Sequence, residues 1–148
     1  MTGWRIGYCG GPQEIMNYVK NFQDHSTSNP TSISQVAALA ALQASEEKVK
    51  EMCEEFRKRR DLIVSLFSAI PNVSFVKPEG AFYLFCDFSK LGDSEQIAKR
   101  MLDEVNVAAI PGDSFGAPGF MRISFSTSQE RIKEGVRRIQ SWIQKNCS

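Results

Sequence analysis

The chain has 148 residues, with one histidine, four cysteines, no excess of either charge and no long apolar run. Each shortage closes off a class of function. The one histidine, His25, stands in a polar stretch with no serine, cysteine or carboxylate constellation around it, so no nucleophile and base pair can be assembled on it; it reads as a solvated loop residue. The cysteines, Cys9, Cys53, Cys86 and Cys147, form no CxxC pair and lie mostly among apolar neighbours. That argues against a disulfide scaffold or a zinc site and fits the reduced thiols of a cytoplasmic protein. Eighteen Lys and Arg against 17 Asp and Glu leave a net charge of +1, too little to gather nucleic acid or an anionic membrane surface. No apolar run approaches the roughly 20 residues that span a bilayer, and Met1-Thr2-Gly3-Trp4-Arg5 lacks the layout of a signal peptide. Internal repeats and low-complexity tracts are also missing.

What is there suits a globular protein. Hydrophobic residues make up 42% of the chain and include ten Phe and two Trp, enough to bury a core within the usual size of one domain. Trp4 to Cys9 is short, apolar and β-prone, which predicts a strand. Gly10-Gly11-Pro12 then opens a helix carrying Ile15, Met16, Val19 and Phe22 at helical spacing, stopped by the polar stretch Asp24 to Pro30. Ile33 to Leu42 is dense in Ala and Leu and predicts a largely buried helix. Ser45, with Glu46 and Glu47 behind it, caps a longer helix whose Val49, Met52, Cys53, Phe56, Ile63, Leu66 and Ile70 form one stripe, ended by Pro71-Asn72. Strands are expected at 73–76, 81–86, 105–110 and 121–125, and a helix at 94–104. A last helix is opened by the capping box Thr127-x-x-Glu130, with Ile132, Val136, Ile139 and Ile143 on one face. The alternation is α/β or α+β. The change near Ala44, from a small-residue helix to a charged amphipathic one, is the expected domain boundary, dividing 1–44 from a two-layer unit over 45–148.

Two cations stand on β-prone segments. Arg5 lies between Trp4 and Ile6, where burial would demand an anionic partner; an ordinary ion pair or a solvated strand end is the commoner explanation of such a pattern. Arg122 alternates with Met121, Ile123 and Phe125 after the glycine-rich turn 111–119. Arginine is the side chain shaped to grip a carboxylate or phosphate through two parallel hydrogen bonds, but an outward-facing strand position is an equal reading. Arg57-Lys58-Arg59-Arg60 winds around most of a helix and has no stacking aromatics, so it reads as a solvated face and not as a nucleic-acid surface. Glu79-Gly80-Ala81-Phe82-Tyr83 reads as a turn into a strand, with Gly80 supplying the backbone freedom.

Four segments together resemble the aspartate aminotransferase family of fold-type-I, pyridoxal-phosphate-dependent enzymes. They are Met1 to Tyr8; Ser26-Thr27-Ser28-Asn29-Pro30 with Gln35; Pro78-Glu79-Gly80-Ala81-Phe82-Tyr83; and Ile110-Pro111-Gly112-Asp113-Ser114-Phe115-Gly116 leading to Arg122. The resemblance implies an α/β fold in which 1–44 is a remnant of the large cofactor-binding domain and 45–148 the C-terminal small domain. It implies that Arg5 binds the phosphate of pyridoxal 5'-phosphate and Arg122 the α-carboxylate of an amino or 2-oxo acid. The Schiff-base lysine falls four residues before Met1, so no catalytic residue is expected within the chain, which by itself is expected to be inactive. A homodimer acting on amino and 2-oxo acids, without nucleic acid, membrane or metal, is implied as well. Asp24 and His25 offer no arginine for a second carboxylate, which puts aspartate specificity in question, while the Gly116-Ala117-Pro118-Gly119 turn resembles the bacterial branch. Aspartate with 2-oxoglutarate is therefore the first expectation. Aromatic or alanine-like substrates, lyase chemistry on the same fold, or a non-catalytic carboxylate-binding or dimerisation module are the alternatives.

Overall fold

The computed structural model describes Met1–Asn146. Cys147 lies outside the described residues. The chain divides into two compact units, Met1–Glu47 and Lys48–Ser148, a division three residues beyond the one expected from composition.

The first unit holds a 3-10 turn, Thr2–Trp4, and two helices, α1 (Gln13–Ser26) and α2 (Ser32–Gln43). The strand expected over Trp4 to Cys9 does not form. An isolated strand cannot satisfy its own N–H and C=O groups, and no other strand lies in this unit to pair with it. Pro12 sits at the N-cap of α1, where its missing N–H costs nothing. At α2 the Thr31 hydroxyl accepts from the Ser34 N–H at 3.4 Å. The expected burial of α2 is not found: Ile33, Val36, Leu39 and Leu42 are all exposed, and only Ser34 is buried. Two short helices and a loop do not have the surface to enclose an Ala- and Leu-rich helix, so its apolar side chains stay in solvent.

The second unit is α+β and two-layered. Helix α3 (Glu47–Phe67) begins where the Ser45 hydroxyl accepts from the Glu47 N–H at 3.1 Å. The strands β1 (Ser74–Phe75), β2 (Tyr83–Asp87), β3 (Ile110–Pro111) and β4 (Phe120–Ser124) form one antiparallel sheet in the order β1-β2-β4-β3. Helices α4 (Ser94–Val105) and α5 (Gln129–Asn146) complete the unit. The expected strand at 105–110 shrinks to β3 because Val105 closes α4 and Asn106, in the left-handed region at φ 54°, caps it.

The core is the inward half of each element. Leu84 and Cys86 of β2 pair in register with Ile123 and Met121 of β4, and all four are buried. They share one cluster with Ile63, Phe67, Ile97, Met101, Val136, Ile139, Trp142 and Ile143. Burial pushes the Cys86 thiol up to about 12, so it stays neutral and unreactive. Of the expected stripe on α3, Ile63 and, just past the helix end, Ile70 are buried, as is Phe67, which the stripe left out, while Val49, Met52 and Cys53 are exposed. On α5 the cap is Ser128 and not Thr127, since the Ser128 hydroxyl accepts from the Arg131 N–H at 3.3 Å. Trp142, absent from the expected face, is buried and donates its indole N–H to Glu104 at 2.8 Å, tying α5 to α4. Hydrogen bonds from Arg100 and then Trp142 hold the Glu104 carboxyl below the usual carboxylate range.

The two halves of α3 therefore differ in what they support. Truncating the fully buried Phe67 to Ala should cost about 3–5 kcal/mol in urea unfolding, whereas Met52→Ala should stay within about 0.5 kcal/mol. Equal losses at both positions would contradict this burial.

Candidate functional site

The side chains of β4 alternate in burial, with Met121 and Ile123 inward and Phe120 and Arg122 half-buried on the opposite face. Both neighbouring strands bring a residue opposite Arg122, Phe85 of β2 and Ile110 of β3. The outward-facing reading of Arg122 is thus correct as to its side of the sheet, yet the position is not simply solvated. The guanidinium carbon lies 4.3 Å from the centroid of the Tyr83 ring and 4.8 Å from that of Phe115. Phe115 meets Phe85 edge to face at 6.1 Å, and Phe85 stacks on Phe120 at 5.1 Å. Among the described residues Arg122 makes no ion pair, although Arg59, Arg60, Arg100, Arg137 and Arg138 all do.

The turn before β4 is what puts Phe115 there. Gly112–Phe115 is a 3-10 turn ended by Gly116 at φ 71°. The Ala117 N–H donates to the Gly112 carbonyl at 3.0 Å, and the Phe88 N–H to the Gly119 carbonyl at 2.8 Å. A Cβ on Gly112 would meet the Ala117 oxygen at 2.2 Å, so only glycine allows this closure. Ser94 locks the turn from beneath. Its hydroxyl donates to Asp113 at 2.7 Å and accepts from the Gly119 N–H at 3.2 Å, and the residue is almost wholly buried. Sequence reasoning missed this clamp, because Asp93-Ser94 looks like an ordinary solvated helix start and Asp93 does accept from the Gln96 N–H.

Arg5 takes the solvated one of its two readings, although on a turn and not at a strand end. It is exposed, in the left-handed region at φ 52° and ψ 47°, and ends the 3-10 turn Thr2–Trp4. That turn is held by a relay in which the Thr31 hydroxyl donates to Ser34 Oγ at 2.9 Å and Ser34 donates to the Trp4 carbonyl at 3.0 Å. Its guanidinium has no ion pair among the described residues. Arg5 belongs to the first unit and Arg122 to the second.

The remaining candidates are unremarkable. His25 is exposed but lies in the last turn of α1 and not in a loop, because the helix runs past Asp24 to Ser26. Of the basic run, Arg57 and Lys58 are exposed, Arg59 pairs with Glu55 and lies over the Phe56 ring, and Arg60 pairs with Asp61. The solvated-face reading therefore holds for Arg57 and Lys58, whereas Arg59 and Arg60 are half-buried and paired. In the 79–83 turn it is Ala81, at φ 58°, that takes the left-handed conformation, and not Gly80. No cluster of metal-ligating side chains occurs among the described residues.

The profile of aminotransferases of class I and II matches residues 1–139. A probable aspartate/prephenate aminotransferase of Aquifex aeolicus is 44% identical over 98% of this chain, and the aspartate aminotransferase of Bacillus subtilis 42% over 99%. Among solved structures, an aspartate aminotransferase of Thermotoga maritima superposes with a TM-score of 0.84 at 39% identity over 97% of this chain. An aromatic aminotransferase of Pyrococcus horikoshii does so with a TM-score of 0.85 at 33% identity over 98%. The chain spans 38% and 39% of the length of the two curated relatives and 37% and 40% of the two solved chains.

Ser94→Ala should strand the Gly119 N–H and release the exposed Asp113 carboxylate to water, costing about 1–3 kcal/mol. Urea unfolding checks it, and an unchanged midpoint would show that the turn does not depend on this hydroxyl.

Proposed function

The chain belongs to the class I and II aminotransferase family, and on that premise we propose that the whole protein moves an amino group between an amino acid and a 2-oxo acid with pyridoxal 5'-phosphate as cofactor. The observation that carries the reading is Arg122, a half-buried guanidinium fixed between two rings with no anion of its own. A carboxylate of substrate is the partner it lacks, because the planar fork of arginine matches a carboxylate through two parallel, charge-assisted hydrogen bonds.

The donor chemistry also fits the cofactor. Arg5 offers five N–H donors uncompensated by any carboxylate among the described residues, on a turn braced by Ser34, and a phosphate dianion is the complementary ligand. When bound, pyridoxal phosphate supplies the electron sink that makes the substrate α-proton removable. The residues of this chain hold and orient: Arg5 anchors the phosphate, Arg122 anchors the carboxylate, and the Tyr83 and Phe115 rings lie against the Arg122 guanidinium. The amine that exchanges the proton with the α-carbon is assigned by family resemblance to a lysine outside residues 1–148. The chain alone therefore recognises anions and does not transfer amino groups.

Residues 1–44 are assigned to the large cofactor-binding domain and 45–148 to the small domain that closes over substrate. A homodimer is part of the proposal on the family resemblance alone. No helix among the described residues is long and apolar enough to cross a membrane, and a cytoplasmic location is part of the proposal. Aspartate with 2-oxoglutarate is the proposed pair: relatives named aspartate aminotransferase at 42% identity and above over nearly the whole chain support aspartate, and 2-oxoglutarate rests on the family resemblance.

A chimera tests this directly. Replacing the matching stretch of the Bacillus subtilis relative with this chain should preserve transfer from aspartate to 2-oxoglutarate, and Arg122→Gln in the chimera should lower kcat/KM by on the order of 100-fold or more. A folded but inactive chimera would favour a carboxylate-binding module, and full activity in the Gln variant would remove Arg122 from substrate recognition.

A further inference from the structure

We infer that Tyr83 and Phe115 are positioning residues for Arg122, two rings that fix the plane and direction of its guanidinium before any carboxylate arrives. The inference rests on the reading of Arg122 as the carboxylate anchor and adds to it the means by which the anchor is held.

An arginine on an open sheet face has four rotatable side-chain bonds, and an ion pair normally restricts them. Arg122 has no such pair among the described residues, yet its guanidinium carbon is within 5 Å of two ring centroids, 4.3 Å for Tyr83 and 4.8 Å for Phe115. Both lie inside the roughly 6 Å range over which a cation is drawn to the negative face of an aromatic ring. The rings come from independent supports. Tyr83 is part of β2, its place set by the register that pairs it with Ser124, and it lies against Phe82, 4.5 Å between centroids. Phe115 stands on the 3-10 turn clamped by Ser94 and is braced by the edge-to-face contact with Phe85.

Attraction to ring faces uses the charge of the guanidinium and leaves its N–H edges as hydrogen-bond donors. Those edges are what a carboxylate needs for a bidentate grip. A ring can therefore hold the cation in the free protein without competing for the substrate, as a carboxylate side chain would compete. Fixing the side chain beforehand removes an ordering cost that binding would otherwise carry. Lysine at 122 would keep the charge and lose the planar fork.

The test is NMR of the full chain, reading Arg122 Nε–Hε order and ring-current shift, followed by titration with 2-oxoglutarate. Wild type should show an ordered, ring-shifted Arg122 signal, unlike exposed Arg57, and a saturable response. Tyr83→Leu and Phe115→Leu should each lose the order and shift, and weaken the titration roughly three- to tenfold. Tyr83→Phe and Phe115→Tyr should restore both, which separates loss of a ring from loss of the fold. A wild-type Arg122 as disordered as Arg57, or Leu variants that titrate like wild type, overturns the positioning role and leaves the carboxylate reading intact. An ordered, ring-shifted Arg122 with no saturable response overturns the carboxylate reading, and the positioning proposal falls with it.

Discussion

Met121 and Ile123 pair with Cys86 and Leu84, all four within the core, and this pairing sets the direction of every other side chain on β4. Strand residues alternate between faces, so burying those two obliges Arg122 to point away from the helices. A slip of one residue would carry the guanidinium into the apolar cluster, where an unpaired charge costs several kcal/mol. The same slip would expose both core residues. The position of the candidate anion site is thus enforced by the hydrophobic effect on the other side of the sheet.

The open face then has its own organisation. The ion-paired arginines, such as Arg59, Arg100 and Arg138 on the helices, find carboxylates one turn away at i±4. On the sheet the cross-strand neighbours of Arg122 are Phe85 and Ile110, which offer no charge. Rings take the place of carboxylates there, and the glycine-rich turn matters because it delivers one of them. Gly112 permits the close approach to Ala117 and Phe120, and Ser94 secures the result. Under the proposed function, a charge held without an anion of its own suits a substrate that carries the carboxylate.

The sequence made the second unit largely legible, and the reasons are periodic. On α5, Ile132, Val136, Ile139 and Ile143 recur at helical spacing and all four are buried. Periodicity also marked β2 and β4. It misled where tertiary context was needed: Trp4 to Cys9 has the composition of a strand but no neighbour to pair with, and α2 has the composition of a core helix but too little around it to be covered. At the site, Arg122 was visible as a cation on an apolar strand. Tyr83 and Phe115 were visible only as motif letters, because their contact with Arg122 depends on β2 to β4 register and on the closure of a turn. Ser94 gave no signal at all, being a serine at a helix start whose burial comes from a loop about 19–25 residues further along.

The central claim is that the open face of the sheet receives a carboxylate at Arg122. A crystal structure of this chain grown with a 2-oxo acid at saturating concentration tests it most directly. The account predicts a carboxylate in the plane of the Arg122 guanidinium, with both oxygens within about 3 Å of its nitrogens and the Tyr83 and Phe115 rings still against its faces. A carboxylate bound elsewhere, or Arg122 turned away to a side-chain partner while the site stays empty, would contradict it.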